Sequence, residues 1–160
     1  MIIRIAQPGD EDGIWSTLEP MIRAGDTYSL PHDWSRKQAL AYWLGEDMTT
    51  HVAADGNNIL GTYYMRTNKL GGGDHVCNCG YVVHPDARGQ GLARRMGEHS
   101  LKTAKERGYR AMQFNFVVGT NAAALKLWPT LGFREIGQIP NGFRHPTHGF
   151  VNAHILYREL

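Results

Sequence analysis

Residues 82–93, with the sequence VVHPDARGQGLA, decide how this chain is interpreted. An apolar run ends at a His-Pro pair, and a turn with two glycines then leads into a segment of helical periodicity. The first backbone N–H groups of a helix have no partner within it, and the helix dipole favours negative charge at that end. Gly89 and Gly91 keep side chains away from those donors. The stretch therefore predicts a place where a phosphate group rests on the start of a helix.

Two common phosphate-binding patterns do not fit this turn. The dinucleotide pattern G-x-G-x-x-G requires glycine or alanine at position 94, which is Arg94. The strand predicted at Ala111–Phe116 carries no Asp or Glu to hold a ribose. The chain also lacks the Gly-Lys-Ser/Thr string of nucleoside-triphosphate loops. These absences disfavour NAD, ATP and GTP as ligands.

Helices are predicted on both sides of the turn from periodicity and capping residues. The segment from Leu92 to Ala104 carries an apolar stripe with charged residues on its other side, which is typical of a central amphipathic helix. Ser35 and Gln38 form a capping-box pattern and predict the start of a short helix. Asn121 is a good helix N-cap, and Gly132 predicts the end of that helix.

Strands are predicted where the hydrophobic period changes to two. Residues 50–66 form a hairpin around the turn at 55–58, and residues 75–83 form a long extended run. Two last strands are predicted at about 133–139 and 150–157. The element order β-α-α-β-β-β-α-β-α-β-β predicts an α/β or α+β fold with one mixed, largely antiparallel sheet flanked by helices.

Composition limits the class of protein. The chain has 160 residues, of which 42% are hydrophobic, and its 17 Lys and Arg against 15 Asp and Glu leave a net charge of +2. We expect one domain over residues 1–160, a soluble cytoplasmic protein, and no nucleic-acid partner. No stretch approaches the ~18 apolar residues of a membrane helix. Cys77 and Cys79 point the same way on a half-buried strand, which disfavours a disulfide and a metal site.

Two linked motifs resemble a known family. Residues 88–93, RGQGLA, match the R/Q-x-x-G-x-G/A signature of the GNAT superfamily of acyl-CoA-dependent N-acyltransferases, and Val83-x-Pro85 precedes it as in that family. Residues 121–133, NAAALKLWPTLGF, resemble the family segment N-x-x-A…Y-x-x-L-G-F at every position but Trp128. The motifs span about residues 81–133, and the element order of the remaining chain also agrees with the GNAT fold.

The resemblance implies acetyl-CoA as cosubstrate and assigns roles to the residues of both motifs. It implies that the pyrophosphate lies on the glycine turn, and that the pantetheine arm pairs with the strand end at 81–83, where that strand separates from its neighbour. It also implies that the backbone N–H of Val83 faces the thioester oxygen and stabilises an oxyanion. The implied CoA contacts are Tyr81, Val82, Val83, Arg88, Gly89, Gln90, Gly91, Leu92, Ala93, Asn121 and Trp128.

Two departures from the family pattern concern catalysis. Many members carry a tyrosine at the position of Trp128, where it protonates the leaving thiolate, and an indole N–H does not serve as such a proton donor. Some members carry a glutamate base at the position of Phe116. A base for the substrate ammonium must therefore come from elsewhere. The candidates left open are His75, Tyr81, Cys79 and Glu46, or a water held among them.

The function expected from this resemblance is acetyl transfer from acetyl-CoA to a primary amine, with a small molecule favoured over a protein as acceptor. The acceptor site is expected beside Tyr28, His32 and Trp34, with the loop at 145–148 as a second candidate region. We expect no metal and no membrane partner, and the sequence leaves a homodimer open. A rival interpretation is a non-catalytic acyl-CoA-binding sensor or structural module, motivated by the two departures.

Overall fold

The structure, a computed structural model, describes residues 1–160. Its helices and strands occur in the predicted order. The strands are β1 (Ile2–Ile5), β2 (Thr49–Asp55), β3 (Asn58–Thr67), β4 (Val76–Val83), β5 (Ala111–Val118), β6 (Arg134–His145) and β7 (Gly149–Glu159). The α-helices are α1 (Glu11–Ala24), α2 (Arg36–Trp43), α3 (Leu92–Glu106) and α4 (Ala122–Thr130). No helix is both long and apolar enough to cross a lipid bilayer.

All seven strands form one sheet in the order β1-β2-β3-β4-β5-β7-β6. Every neighbouring pair is antiparallel except β4 and β5, which confirms the predicted mixed, mostly antiparallel sheet. The parallel pair is joined only where Val76 faces Ala111 and Cys77 faces Met112. Beyond these residues the two strands separate, so the second half of β4 has an edge without a strand partner.

Helices cover both faces of the sheet. Because successive strand residues point to opposite faces, Tyr64 and Val82 pack in the core beneath α1 and α2, whereas Tyr63 packs beneath α3. Helices α3 and α4 approach closely at Gly97, where an added Cβ would lie 2.7 Å from Leu131 Cδ1. The starts of both helices, at Leu92 and Ala123, line one cavity together with the end of β4.

The predicted capping residues form the expected contacts. The Ser35 hydroxyl accepts from the Gln38 N–H at 3.2 Å, and the Gln38 side chain accepts from the Ser35 N–H at 2.9 Å. The Asn121 side chain accepts from the Ala124 N–H at 3.2 Å at the start of α4. Both helix starts confirm the predictions from local sequence.

The structure differs from the predictions in the last hairpin and at the cysteines. Strand β6 continues past Ile139 to His145. Residues 140–142, Pro-Asn-Gly, have the composition of a turn but form a bulge within this strand, and pairing with β7 resumes at Phe143. The segment at 145–148, predicted as a loop between strands, is therefore the short turn of the β6–β7 hairpin. The strand with Cys77 and Cys79 is not half-buried at these positions, since both free thiols lie in the core.

Candidate active site

The glycine turn leaves the start of α3 uncovered. Gly89 and Gly91 have φ angles of 73° and 75°, in the left-handed region that favours glycine. A Cβ added at either position would meet no atom within 4 Å. Gly91 is the N-cap of α3, so the first N–H groups of a fifteen-residue helix open onto this free space. The turn therefore fits an anionic group that approaches the backbone closely.

The three arginines near the turn do not contribute equally. The exposed Arg88 borders the cavity beside the turn and forms no ion pair. Arg94 lies 3.7 Å from the carboxylate of Glu98 and donates to Thr130 at 2.7 Å. Arg95 contacts the sulfur of Met1 at 3.6 Å. Because the latter two are engaged elsewhere, Arg88 is the guanidinium available beside the turn.

The free edge of β4 carries backbone donors at alternate residues. The His84 N–H donates to the Leu60 carbonyl of β3 at 2.8 Å, so the neighbouring Val83 N–H faces the gap between β4 and β5. Tyr81 faces the same gap, but the Tyr28 hydroxyl accepts from its N–H at 2.6 Å and donates to its carbonyl at 3.0 Å. Of these two gap-facing N–H groups, the Val83 N–H is the one without a side-chain partner.

A cavity of about 530 Å³ lies between the glycine turn, the free edge of β4 and α4. Gln90 does not border it, because its side chain turns back and donates to the Asp86 carbonyl at 3.0 Å. The other residues predicted to contact CoA all line this cavity: Tyr81, Val82, Val83, Arg88, Gly89, Gly91, Leu92, Ala93, Asn121 and Trp128.

A second cavity, of about 480 Å³, adjoins the first at the gap in the sheet. Its wall is largely aromatic and includes Phe116, and Arg66 is its one charged residue. No Asp, Glu or His side chain lines it. No pattern in the sequence distinguishes Arg66, because the alternation of β3 marks a strand but not what faces that strand across the fold. The residues that line both cavities are Thr27, Tyr28, Tyr81, Asn121, Ala124 and Trp128.

Only two of the four side chains considered as bases reach this region. His75 and Glu46 are exposed and line neither cavity. Cys79 and Tyr81 line the second cavity, and burial raises the pKa of both groups well above their usual values. The thiol and the phenol therefore stay protonated near neutral pH, and neither accepts a proton there.

The predicted acceptor residues are divided by the structure. Tyr28 lies at the boundary of the two cavities, whereas His32 and Trp34 line neither. The carbonyls of His32 and Trp34 accept from the Arg23 guanidinium at 2.7 Å and 2.9 Å, which ties this segment to α1. The hairpin turn at 145–148 also lies outside both cavities.

Trp128 is both a core residue and a cavity wall. Its ring lies 4.8 Å from that of Tyr81 and 4.7 Å from that of Phe114, measured between centroids. The side chain is buried, yet it borders both cavities.

No group of three or more His, Cys, Asp or Glu side chains that could hold a metal ion occurs in the structure.

Comparison with known proteins identifies the family. The model of the acetyltransferase (GNAT) family matches residues 15–133. The chain is 34% identical over 151 residues to the N-acetyltransferase aca1 of Schizosaccharomyces pombe, covering 84% of this chain and 72% of that protein. It is 38% identical to a GCN5-related N-acetyltransferase from Kribbella flavida, with a TM-score of 0.93 over 99% of this chain and 97% of the other.

A more distant structure shares the fold. An acetyltransferase from Salmonella typhimurium, solved with its cofactor acetyl-CoA, is 19% identical and has a TM-score of 0.86, covering 100% of this chain and 94% of the other. The family match spans both motifs, the gap in the sheet and most of the two cavities. The chain therefore belongs to the GNAT family of acetyltransferases.

Proposed function

We propose that this chain transfers the acetyl group of acetyl-CoA to the primary amine of a small molecule. The observation that carries the proposal is that the open glycine turn and the free Val83 N–H lie on one cavity, which meets a second cavity at Tyr81 and Trp128. A donor bound in the first cavity and an amine bound in the second would meet at this boundary. The acetyl-CoA bound to the Salmonella typhimurium acetyltransferase of the same fold supports the choice of donor.

The first cavity has groups suited to each part of the donor. The α3 N-terminus and Arg88 would hold the pyrophosphate through backbone donors and a charge-assisted contact. The unpaired edge of β4 would bind an extended amide arm as a strand does. The Asn121 side chain caps α4 at the boundary of the cavities. Acetyl-CoA supplies the activated thioester, and these residues would orient it.

The Val83 N–H is the proposed donor to the thioester oxygen. It lies at a strand edge that is held on its other side by the ladder to β3, so little rearrangement is needed when charge develops on that oxygen. A preorganised backbone donor of this kind stabilises an oxyanion more than the ground-state carbonyl. The assignment gives Val83 a role that depends on its backbone N–H, which every residue except proline provides.

The second cavity suits a small amine in its neutral form. Its volume of about 480 Å³ falls within the range of small-molecule sites. The guanidinium of Arg66 and the absence of carboxylates disfavour the ammonium form of a bound amine. Because no side chain of this cavity is a suitable base, we propose that the amine loses its proton to water. The thiol of CoA, with a pKa near the ~8.5 of cysteine, leaves readily at neutral pH.

A panel experiment separates the enzyme from the acyl-CoA-binding sensor. Release of free thiol from acetyl-CoA is measured with amino acids, polyamines and amino sugars, and binding is measured in parallel as a thermal shift. Turnover with any of these amines would exclude a purely non-catalytic module. Binding of acetyl-CoA without turnover across the panel would favour the sensor, and stabilisation by NAD or ATP but not by acetyl-CoA would contradict both interpretations.

A further inference from the structure

The second cavity contains a single charged group, and that group is positive. Arg66 lies on a wall that is otherwise made of aromatic, apolar and neutral polar side chains. The Arg66 side chain is half-buried, with 36% of its surface exposed. A charge at the wall of a largely apolar cavity is unfavourable unless a group of opposite sign accompanies it. The cavity is therefore suited to a ligand that carries a negative charge.

The protein itself does not occupy the donors of this guanidinium. The carboxylate beside Arg66 belongs to Asp47, and its oxygen lies 3.6 Å from Nη1, which is longer than a hydrogen bond. Asp47 is exposed and does not line the cavity. A guanidinium has five N–H donors, and those of Arg66 form no hydrogen bond to the backbone or to another side chain. They are therefore available to a ligand.

Tyr64 places a neutral donor on the same wall as Arg66. The two residues are two apart on β3, so their side chains leave the same face of the sheet, and both line the second cavity. The Tyr64 ring is fixed edge-on against the buried Trp43, at 4.8 Å between centroids. Burial raises the pKa of the Tyr64 phenol, and the positive charge of Arg66 acts in the opposite direction. The phenol stays protonated and can donate to an anion bound by Arg66.

Arg66 lies at the narrow end of the gap in the sheet. It pairs with Asn78 of β4, whose side-chain amide donates to the Gln113 carbonyl at 2.8 Å and so bridges β4 to β5 directly after their last paired residues. Tyr81, at the boundary of the two cavities, is three residues further along β4, or about 10 Å. The arginine side chain spans part of this distance. A small molecule bound to Arg66 can therefore reach the boundary where the acetyl group is proposed to lie.

We propose that the acceptor is an amino acid, with its carboxylate bound by Arg66 and its amine at the boundary of the two cavities. The proposal rests on the acetyltransferase function proposed above and specifies its substrate class. The planar guanidinium matches the two oxygens of a carboxylate, and one guanidinium balances its single negative charge. The same positive charge disfavours a polyamine. The amine nitrogen bonds to the thioester carbon and loses a proton to water, the carbon–sulfur bond breaks with its electron pair on sulfur, and water protonates the sulfur. The products are an N-acetyl amino acid and coenzyme A.

The first test measures binding and needs no turnover. Leucine, phenylalanine and 4-aminobutyrate, each paired with its carboxamide, are titrated by calorimetry into the chain saturated with coenzyme A. We expect at least one carboxylate to bind the wild-type chain on the order of 10- to 100-fold more tightly than its carboxamide, and Arg66→Gln to bind both within about threefold of each other. Because each pair is compared on both proteins, the intrinsic difference between the two amines cancels. A wild-type chain that binds no carboxylate more tightly than its carboxamide would overturn the inference.

Kinetics with acetyl-CoA complete the test, with Asp47→Asn as the matched control. This variant removes the same ion pair from its exposed partner and leaves the guanidinium in the cavity. We expect kcat/KM for the amino acid to fall on the order of 10- to 100-fold in Arg66→Gln and less than about threefold in Asp47→Asn, with the carboxamide changed less than about threefold in both.

The outcomes distinguish this inference from the function on which it rests. An equal loss for carboxylate and carboxamide in Arg66→Gln would overturn the role of Arg66 in carboxylate binding. A chain that binds amino acids through Arg66 but acetylates none of them would retain the carboxylate site and refute the proposed function.

Discussion

Replacing Gly91 by glutamate tests the assignment of the glycine turn most directly. Gly91 is the N-cap of α3, its φ is 75°, and the space above it is open. A glutamate there places a negative charge where the pyrophosphate is proposed to lie. At about 5 Å and an effective dielectric constant near 20, one charge pair repels by roughly 3 kcal/mol. Screening at physiological salt reduces this to about 1.8 kcal/mol, or about 20-fold in Kd.

Two matched variants separate the charge from the other effects of the substitution. Gly91→Gln has nearly the same bulk and the same left-handed φ without the charge, so we expect acetyl-CoA to bind it about 20-fold more tightly than Gly91→Glu. Gly108 has φ 85° and open space but lies at the far end of α3. Gly108→Glu should therefore lose about 1 kcal/mol of stability, as the other two do, and retain acetyl-CoA binding.

The assay is isothermal titration calorimetry with acetyl-CoA, repeated at high salt, alongside urea unfolding of each variant. The difference in Kd between Gly91→Glu and Gly91→Gln should shrink as salt is added, because the repulsion is screened. Equal acetyl-CoA affinity in wild type and Gly91→Glu would refute the proposal that the pyrophosphate lies on this turn.

Three further outcomes are expected. Arg88→Ala should weaken acetyl-CoA binding by about 1.5–3 kcal/mol in calorimetry, because the substitution removes a charge-assisted contact but leaves the backbone donors. An unchanged Kd would exclude that contact. Trp128→Tyr should raise KM several-fold with little gain in kcat in steady-state assays, because the smaller ring loses packing against Tyr81 and Phe114. A higher kcat at unchanged KM would contradict this expectation. Burial lowers the pKa of His51 to about 4. Below pH ~6.5 the folded state therefore binds fewer protons than the unfolded chain. The free energy of unfolding should fall by about 1–3 kcal/mol as the pH drops from ~6.5 towards 4. Urea unfolding at several pH values should show this loss, and His51→Phe, which keeps the ring against Tyr63, should flatten the profile.

Short-range sequence signals were sufficient to predict most of the helices and strands. The capping box at Ser35, the N-cap at Asn121 and the glycine turn at 88–91 each depend on residues within one turn of chain, and each occurs as predicted. The last hairpin was the exception. The sequence at 140–142 has the composition of a turn, and only pairing of β6 with β7 on both sides of it converts that turn into a bulge.

The sequence by itself determined the family and was sufficient to propose the donor side of the site, because both motifs are continuous in the chain and their proposed chemistry lies in the backbone and in local turns. The proposed acceptor side depends on tertiary structure. The separation of β4 from β5, the contact of Tyr28 with Tyr81 and the position of Arg66 in the second cavity each join residues far apart in sequence. No periodicity or spacing encodes such contacts, since they arise only when helices and strands pack and leave two cavities at one gap in the sheet.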